Sequence, residues 1–272
     1  MRYLLLCISI IIALGSCNNN TSYVAKTFFK NDIDTLLYTI VTMDSNFKSC
    51  HRDDPHGCSS FRITYPKFAG NTKEVDEYLN KQVMTDVLTS YGMDSTVYPS
   101  IDAMTKAFYD DYEAQLKEMP DLLNPFSYEI NIAVFGRWKD NISLVNNTYS
   151  YLGGAHGASS TLFANYNIAT LEKLNNAKLI DVNDPILVAL GEKYFKEQNK
   201  IDLQTSLKDN GFFWENEDAQ HKEGEFYLNN NIGLQKDSLV WLYNSYEIAA
   251  YAAGQPSVKI PIKDVVNLMR ME

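Results

Sequence analysis

The sequence predicts an α+β fold: antiparallel sheets with helices packed on one side, in two closely associated subdomains. Three observations lead there. Helical and strand periods are interleaved without the regular strand–helix–strand alternation of a parallel sheet. Three alternating apolar–polar segments follow one another between residues 128 and 168, separated by turns, as in a meander. The 272 residues are 45% hydrophobic, 12% aromatic and 21% charged, enough apolar material for a sizeable core and far from the composition of a disordered chain.

The first element is an address. Met1-Arg2-Tyr3 carries one positive charge, and Leu4 to Leu14 is an apolar run of signal-peptide length, too short to cross a bilayer comfortably. Leu14-Gly15-Ser16-Cys17 resembles a lipoprotein processing site. Small side chains admit the peptidase, and the Cys17 thiol is the only group there able to take a thioether-linked diacylglycerol. Residues 1–16 are therefore expected to be a lipoprotein signal peptide, and residues 17–30 a polar, lipidated tether to the membrane. A buried N-terminal helix and a plain secretory signal are the competing readings. No Asp follows Cys17, which points to the outer membrane within the cell envelope and leaves the membrane face open.

Of the four cysteines, Cys50 and Cys58 remain for the folded part. Outside the cytoplasm such a pair reads as a disulfide. His51 and His56 lie between them, but four metal ligands within nine residues would be cramped, so no metal is expected.

Residues 31–152 read as an N-terminal α+β domain. The β-rich segments 36–48 and 59–66 flank the cysteine loop as a hairpin. Asn71 and Glu74 form a capping box before a helix carrying Val75, Tyr78, Leu79, Val83 and Leu88. Tyr98-Pro99-Ser100 opens a second helix, whose stripe of Ile101, Met104, Phe108, Tyr112 and Leu116 ends before Pro120. Strands follow at 128–134 and 142–148. Residues 153–272 read as a C-terminal α+β domain, with a strand at 161–168 and a helix from Asp184-Pro185 to Phe195. Strands at 225–228, 239–243 and 257–260 precede a short final helix.

A net charge of −10 and a pI near 4.9 argue against a nucleic-acid partner, and the single apolar run excludes a multi-pass membrane protein. There is no GxSxG, HExxH, Walker loop, CxxC or calcium loop, and only four histidines, so no cofactor and no catalytic residue is assigned. Two strings stand out as candidates for binding. In Tyr151-Leu-Gly153-Gly154-Ala-His156-Gly157, three glycines in five residues permit positive φ or a close backbone approach, beside an imidazole. In Trp241 to Gly254, Tyr243, Tyr246, Glu247 and Tyr251 offer apolar rings with polar tips that suit a glycan or protein surface. The alternative is that both strings are structural, as a bend and as core rings. Phe212, Phe213 and Trp214 before an acidic loop read as a plug under the sheet.

"GGAHG" after a strand pair, followed about ninety residues later by "YNSYEIAAYAAGQPSVKIPIKDV", resembles a bacterial extracellular domain family of unknown function. That family occurs at the C-terminus of a lysozyme-sensing anti-sigma factor and of a peptidoglycan deacetylase. Its usual N-terminal partner domain is similar to residues 37–136, with "YPKFAG" and "VDEYLNKQV". The likeness covers about residues 30–270. It departs where a family turn is replaced by Ala169 to Asn176, and neither a polysaccharide-deacetylase domain nor a sigma-binding segment is recognisable. What the resemblance implies is a cell-envelope sensing or binding module for peptidoglycan fragments or a lysozyme-like protein. A structural accessory subunit, or an envelope hydrolase using His156 as base, are the other readings.

Overall fold

The computed structural model describes residues 22–23, 36–49, 58–92, 96–119, 124–213 and 221–270. Seven strands form one sheet in chain order: β1 (Ser22–Tyr23), β2 (Tyr38–Asn46), β3 (Ser60–Phe68), β4 (Ser127–Trp138), β5 (Asn141–Tyr151), β6 (Ala158–Asn167) and β7 (Glu172–Leu174). β2 and β3 are the expected hairpin, and β4, β5 and β6 the expected meander. One pairing departs from the antiparallel expectation. β3 runs parallel to β4, from Ser60 opposite Ser127 to Thr64 opposite Asn131, so the sheet is mixed. A parallel pair needs a crossover, and helices α1 (Lys73–Leu88) and α2 (Ile101–Glu118) supply it.

Both helices lie on one face of this sheet. Leu79, Val83 and Val87 of α1 and Met104, Phe108 and Tyr112 of α2 share a core with Phe61, Ile63, Ile130, Ile132, Ile142, Leu144 and Tyr166. Ser100 caps α2, its hydroxyl accepting from the Ala103 amide at 3.1 Å. The cap of α1 sits one residue later than expected, at Thr72, which accepts from the Val75 amide. Asn71 is occupied elsewhere. Its side chain accepts from the Leu37 amide and donates to the Leu37 carbonyl, which ties the helix entry to the chain leading into β2.

The second core is separate. A three-stranded antiparallel sheet of β8 (Ile232–Leu234), β9 (Ser238–Leu242) and β10 (Ser257–Pro261) packs with α4 (Pro185–Gln198), beside the short helices α3 (Asn176–Leu179) and α5 (Ile262–Val265). Asp184 caps α4 by accepting from the Ile186 and Leu187 amides, with Pro185 in the first turn as the sequence indicated. Residues 225–228 are not a strand. Phe226 and Leu228 are buried against Gly191 of α4, while the ladder position beside β9 is taken by β8, which the sequence did not signal.

β8 lies across the face of the large sheet opposite the helices. The approach is close because each of the two strands carries a glycine there. A Cβ on Gly136 of β4 would sit 2.6 Å from the Leu234 carbonyl oxygen, and one on Gly233 of β8 would sit 2.8 Å from the rings of Phe135 and Phe163. At Gly136 the obstacle is backbone, which cannot swing aside. Gly136→Ala is therefore expected to destabilise the protein by about 1–3 kcal/mol, as overpacking does. Denaturant unfolding checks this, with Gly254→Ala, where a Cβ meets nothing within 4 Å, as the control for backbone strain alone.

Candidate functional site

The glycine string is the turn between β5 and β6. Gly153 and Gly154 both adopt positive φ, 89° and 97°, which a side chain would resist. Gly157 serves differently: it is buried under the ring of Tyr149, which occupies the space a Cβ would need. The Tyr151 hydroxyl closes the turn by donating to the Gly154 carbonyl at 3.0 Å.

The tyrosine string meets this turn. The His156 ring stacks on Tyr251, centroids 4.4 Å apart and 25° between planes, and Tyr246 packs on Tyr251 at 5.6 Å. One carbonyl, that of Gly157, accepts from both His156 Nδ1 at 2.9 Å and the Tyr251 hydroxyl at 3.1 Å. The imidazole is thereby held with its proton on Nδ1. Tyr246 is 52% exposed and Tyr251 39%, with His156, Tyr149 and Leu152 also at the surface. Tyr246 carries φ of 70° at a tight turn in which the Glu247 amide donates to the Asn244 carbonyl. A left-handed φ in a non-glycine residue costs roughly 1–2 kcal/mol, so an exposed tyrosine there presents its ring at a cost to the fold.

Side-chain amides fasten this loop to the sheet. Asn244 Oδ1 accepts from the Thr161 amide at 2.7 Å and from Gln255 Nε2 at 2.9 Å. Asn231 Oδ1 accepts from the Phe163 amide, and Asn231 Nδ2 donates to the Thr161 carbonyl, both at 2.8 Å. Ser143, Asn165 and the Leu234 amide continue the chain of bonds inward.

Two expected surface residues are corrected. Tyr243 does not line a cleft: it is fully buried among Phe195, Phe213 and Tyr227, its hydroxyl donating to the Tyr227 carbonyl. Burial pushes its phenol well above the usual range. Glu247 is half-buried, and both carboxylate oxygens are engaged, one by the Asn244 amide at 2.8 Å and one by Asn229 Nδ2 at 2.7 Å. It is a structural acceptor rather than a partner for His156. Phe213 is in the core, while Trp214 to Asp218 lie outside the described residues. So do the signal segment, Cys17 and Cys50, and with Cys50 the expected disulfide. Among the described residues no group of three or more His, Cys, Asp or Glu is placed to hold a metal ion, and no helix is long and apolar enough to cross a membrane.

A second place had no signal in the sequence. Where α1 ends, the helix-bearing face of the sheet opens into a cleft of about 350 Å³, lined by Asp86, Thr89 and Ser90 of the helix end, Asn146 and Thr148 of β5, Ser160, Leu162, Phe163 and Ala164 of β6, and Lys173 of β7. Asp86 Oδ2 accepts from the Tyr166 hydroxyl at 3.0 Å, and Oδ1 lies 3.8 Å from Lys173 Nζ. Burial raises the Asp86 carboxyl, against the opposing pull of Lys173 and Tyr166.

A family model described as "Protein of unknown function (DUF3298)" matches residues 176–263. The chain is similar to DUF3298 there. A second model, described as "Deacetylase PdaC", matches residues 53–159. A DUF3298 family member from Bacteroides fragilis NCTC 9343 superposes with a TM-score of 0.66 at 19% identity, over 88% of this chain and 95% of that one. A DUF3298 family protein from Pseudomonas aeruginosa PAO1 does so at 0.61 and 18%, over 87% and 95%. These likenesses show the α+β fold. No curated protein matches the chain. The aromatic surface joins both matched stretches: His156 and Gly157 come from the PdaC-like part, Tyr246 and Tyr251 from the DUF3298-like part.

Asp86 yields a pH prediction. Its folded pKa is raised above 3.8, so its ionisation costs more in the folded than in the unfolded state. Its contribution is present below that value and is lost as pH rises through the folded pKa. Asp86→Asn, which stays neutral, is expected to gain stability relative to the parent between about pH 3 and about pH 7. Paired urea titrations across that range read the difference.

Proposed function

We propose that this is a non-catalytic binding module of the cell envelope, docking a cationic, lysozyme-like protein through the surface formed by His156, Tyr251 and Tyr246. The observation that carries the reading is the stacked, exposed aromatic trio seated on a glycine turn, one ring held at a strained φ. Rigid amphipathic rings suit protein recognition, and a net charge of −10 steers a cationic partner. The two family matches, which bracket this surface, support an envelope setting by analogy with the resemblance noted in the sequence.

The anchor proposed for it is lipid on Cys17, in the outer membrane, with a disulfide between Cys50 and Cys58; the processing-site string and the isolated cysteine pair in the sequence support these. Peptidoglycan fragments are the alternative ligand of the same surface. Hydrolysis by His156 is disfavoured because Nδ1 bonds a backbone carbonyl in place of a carboxylate, and both oxygens of Glu247 are committed to amides.

Calorimetry of residues 18–272 with a C-type lysozyme and with muropeptides, at low and high salt, tests the reading. Saturable, salt-weakened binding to lysozyme is expected, about tenfold or more weaker in Tyr251→Ala, as for an interface aromatic anchor. Binding to muropeptides alone moves the surface to wall recognition. Binding that survives both Tyr246→Ala and Tyr251→Ala removes this surface from the function.

A further inference from the structure

The cleft at the end of α1 lies on the other face of the sheet from the aromatic surface. Thr148 lines the cleft while its neighbour Tyr149 covers Gly157, and adjacent residues of a strand point to opposite faces. The cleft is therefore independent of the docking surface. At about 350 Å³ it falls at the lower end of the roughly 300–1,000 Å³ typical of small-molecule sites.

We propose that this cleft binds a neutral, polyhydroxylated ligand the size of one or two saccharide units. Charge is the first argument. Among the described residues Asp86 and Lys173 are its ionisable lining groups, and they face one another at 3.8 Å. A cationic ligand would meet the Lys173 ammonium and an anionic one the Asp86 carboxylate, whereas a neutral ligand opposes neither.

Hydrogen-bonding capacity is the second. Thr148 and Ser160 bring hydroxyls, Thr89 a hydroxyl that donates to the Thr85 carbonyl and so offers its oxygen as an acceptor, and Asn146 an amide, short polar groups that match a polyol. The Ser90 hydroxyl donates to the Asp86 carbonyl at 2.5 Å, so it can only accept from Asn146 Nδ2, which it does at 2.9 Å. That fixes which way the Asn146 amide points. Its Oδ1 lies just under the cleft wall, closed to solvent and, among the described residues, without a hydrogen-bond donor, an arrangement that costs about 1–3 kcal/mol in a buried group. On binding, a turn of the Asn146 amide towards the cleft lets a ligand hydroxyl supply that donor.

The third argument is apolar. Leu162 is 55% exposed at the cleft, next to Ala164 on the same face of β6. A sugar ring has a C–H face as well as hydroxyls, and sites of this kind combine an apolar wall with a few placed polar groups.

The test is titration of isotope-labelled protein with glucose, N-acetylglucosamine and its β-1,4-linked dimer, with methylammonium and inorganic phosphate as charged probes, followed by amide chemical shifts. Saturable shifts at Asn146, Ser160, Leu162 and Lys173 with at least one saccharide are expected. Asn146→Leu should weaken them about tenfold, the effect of losing a hydrogen-bonding group. The exposed Leu162→Ala, which leaves the fold intact, should weaken them several-fold, and Tyr246→Ala should leave them unchanged. Absence of saturable shifts with every saccharide, response to methylammonium or phosphate alone, or saccharide shifts indifferent to both cleft variants would overturn the proposal. Loss of lysozyme binding on changing Tyr251 bears only on the other face.

Discussion

The molecule depends on how the open side of β6 is satisfied. β7 pairs only with residues 165–167 of that strand, so the backbone at Thr161 and Phe163 faces outward with strong donors and acceptors that must be met. They are met by side chains: Asn231 and Asn244 reach the Thr161 amide, the Thr161 carbonyl and the Phe163 amide. Asn231 opens β8 and Asn244 follows β9, so the same bonds place the small sheet on the large one. The glycine-to-backbone approach at Gly136 and the descent of the 244–255 loop onto the β5–β6 turn both presuppose that placement. The aromatic surface is thus a product of the joint between the two cores and belongs to neither alone.

Local signals in the sequence were reliable where the physics is local. Ser100 and Asp184 cap their helices because each accepts amides two or three residues ahead, and the Met104, Phe108, Tyr112 stripe is a core face because helical spacing makes it one. The glycine turn was legible because only glycine takes φ near 90° without strain. Distant partners decided the rest. Asn71 lost the capping role to Thr72 because Leu37, thirty-four residues away, claims its side chain. Phe226 and Leu228 alternate like a strand yet face α4, with no ladder partner among the described residues. β8 is three residues around a glycine, and what makes it a strand is β9.

Tyr243 and Tyr246 show the limit most clearly. Both lie in the same string with the same side chain, but one is enclosed by Phe195 and Phe213 and the other stands in solvent. The turn at Asn244 reverses the chain between them, and its geometry is set by Thr161, eighty-three residues earlier. The α1 cleft was invisible for the same reason: its lining comes from one helix end and three strands, and no two of those elements carry a recognisable motif.

The amide-capped strand has a consequence for behaviour at high concentration. A bare sheet edge is a template on which another copy can add a strand, the first step towards fibrils. Asparagine side chains satisfy the hydrogen bonds of β6 at Thr161 and Phe163 without presenting a new row of backbone groups beyond them, so a strand cannot add at that stretch. The same two residues that join the cores also keep a second molecule off this stretch of β6.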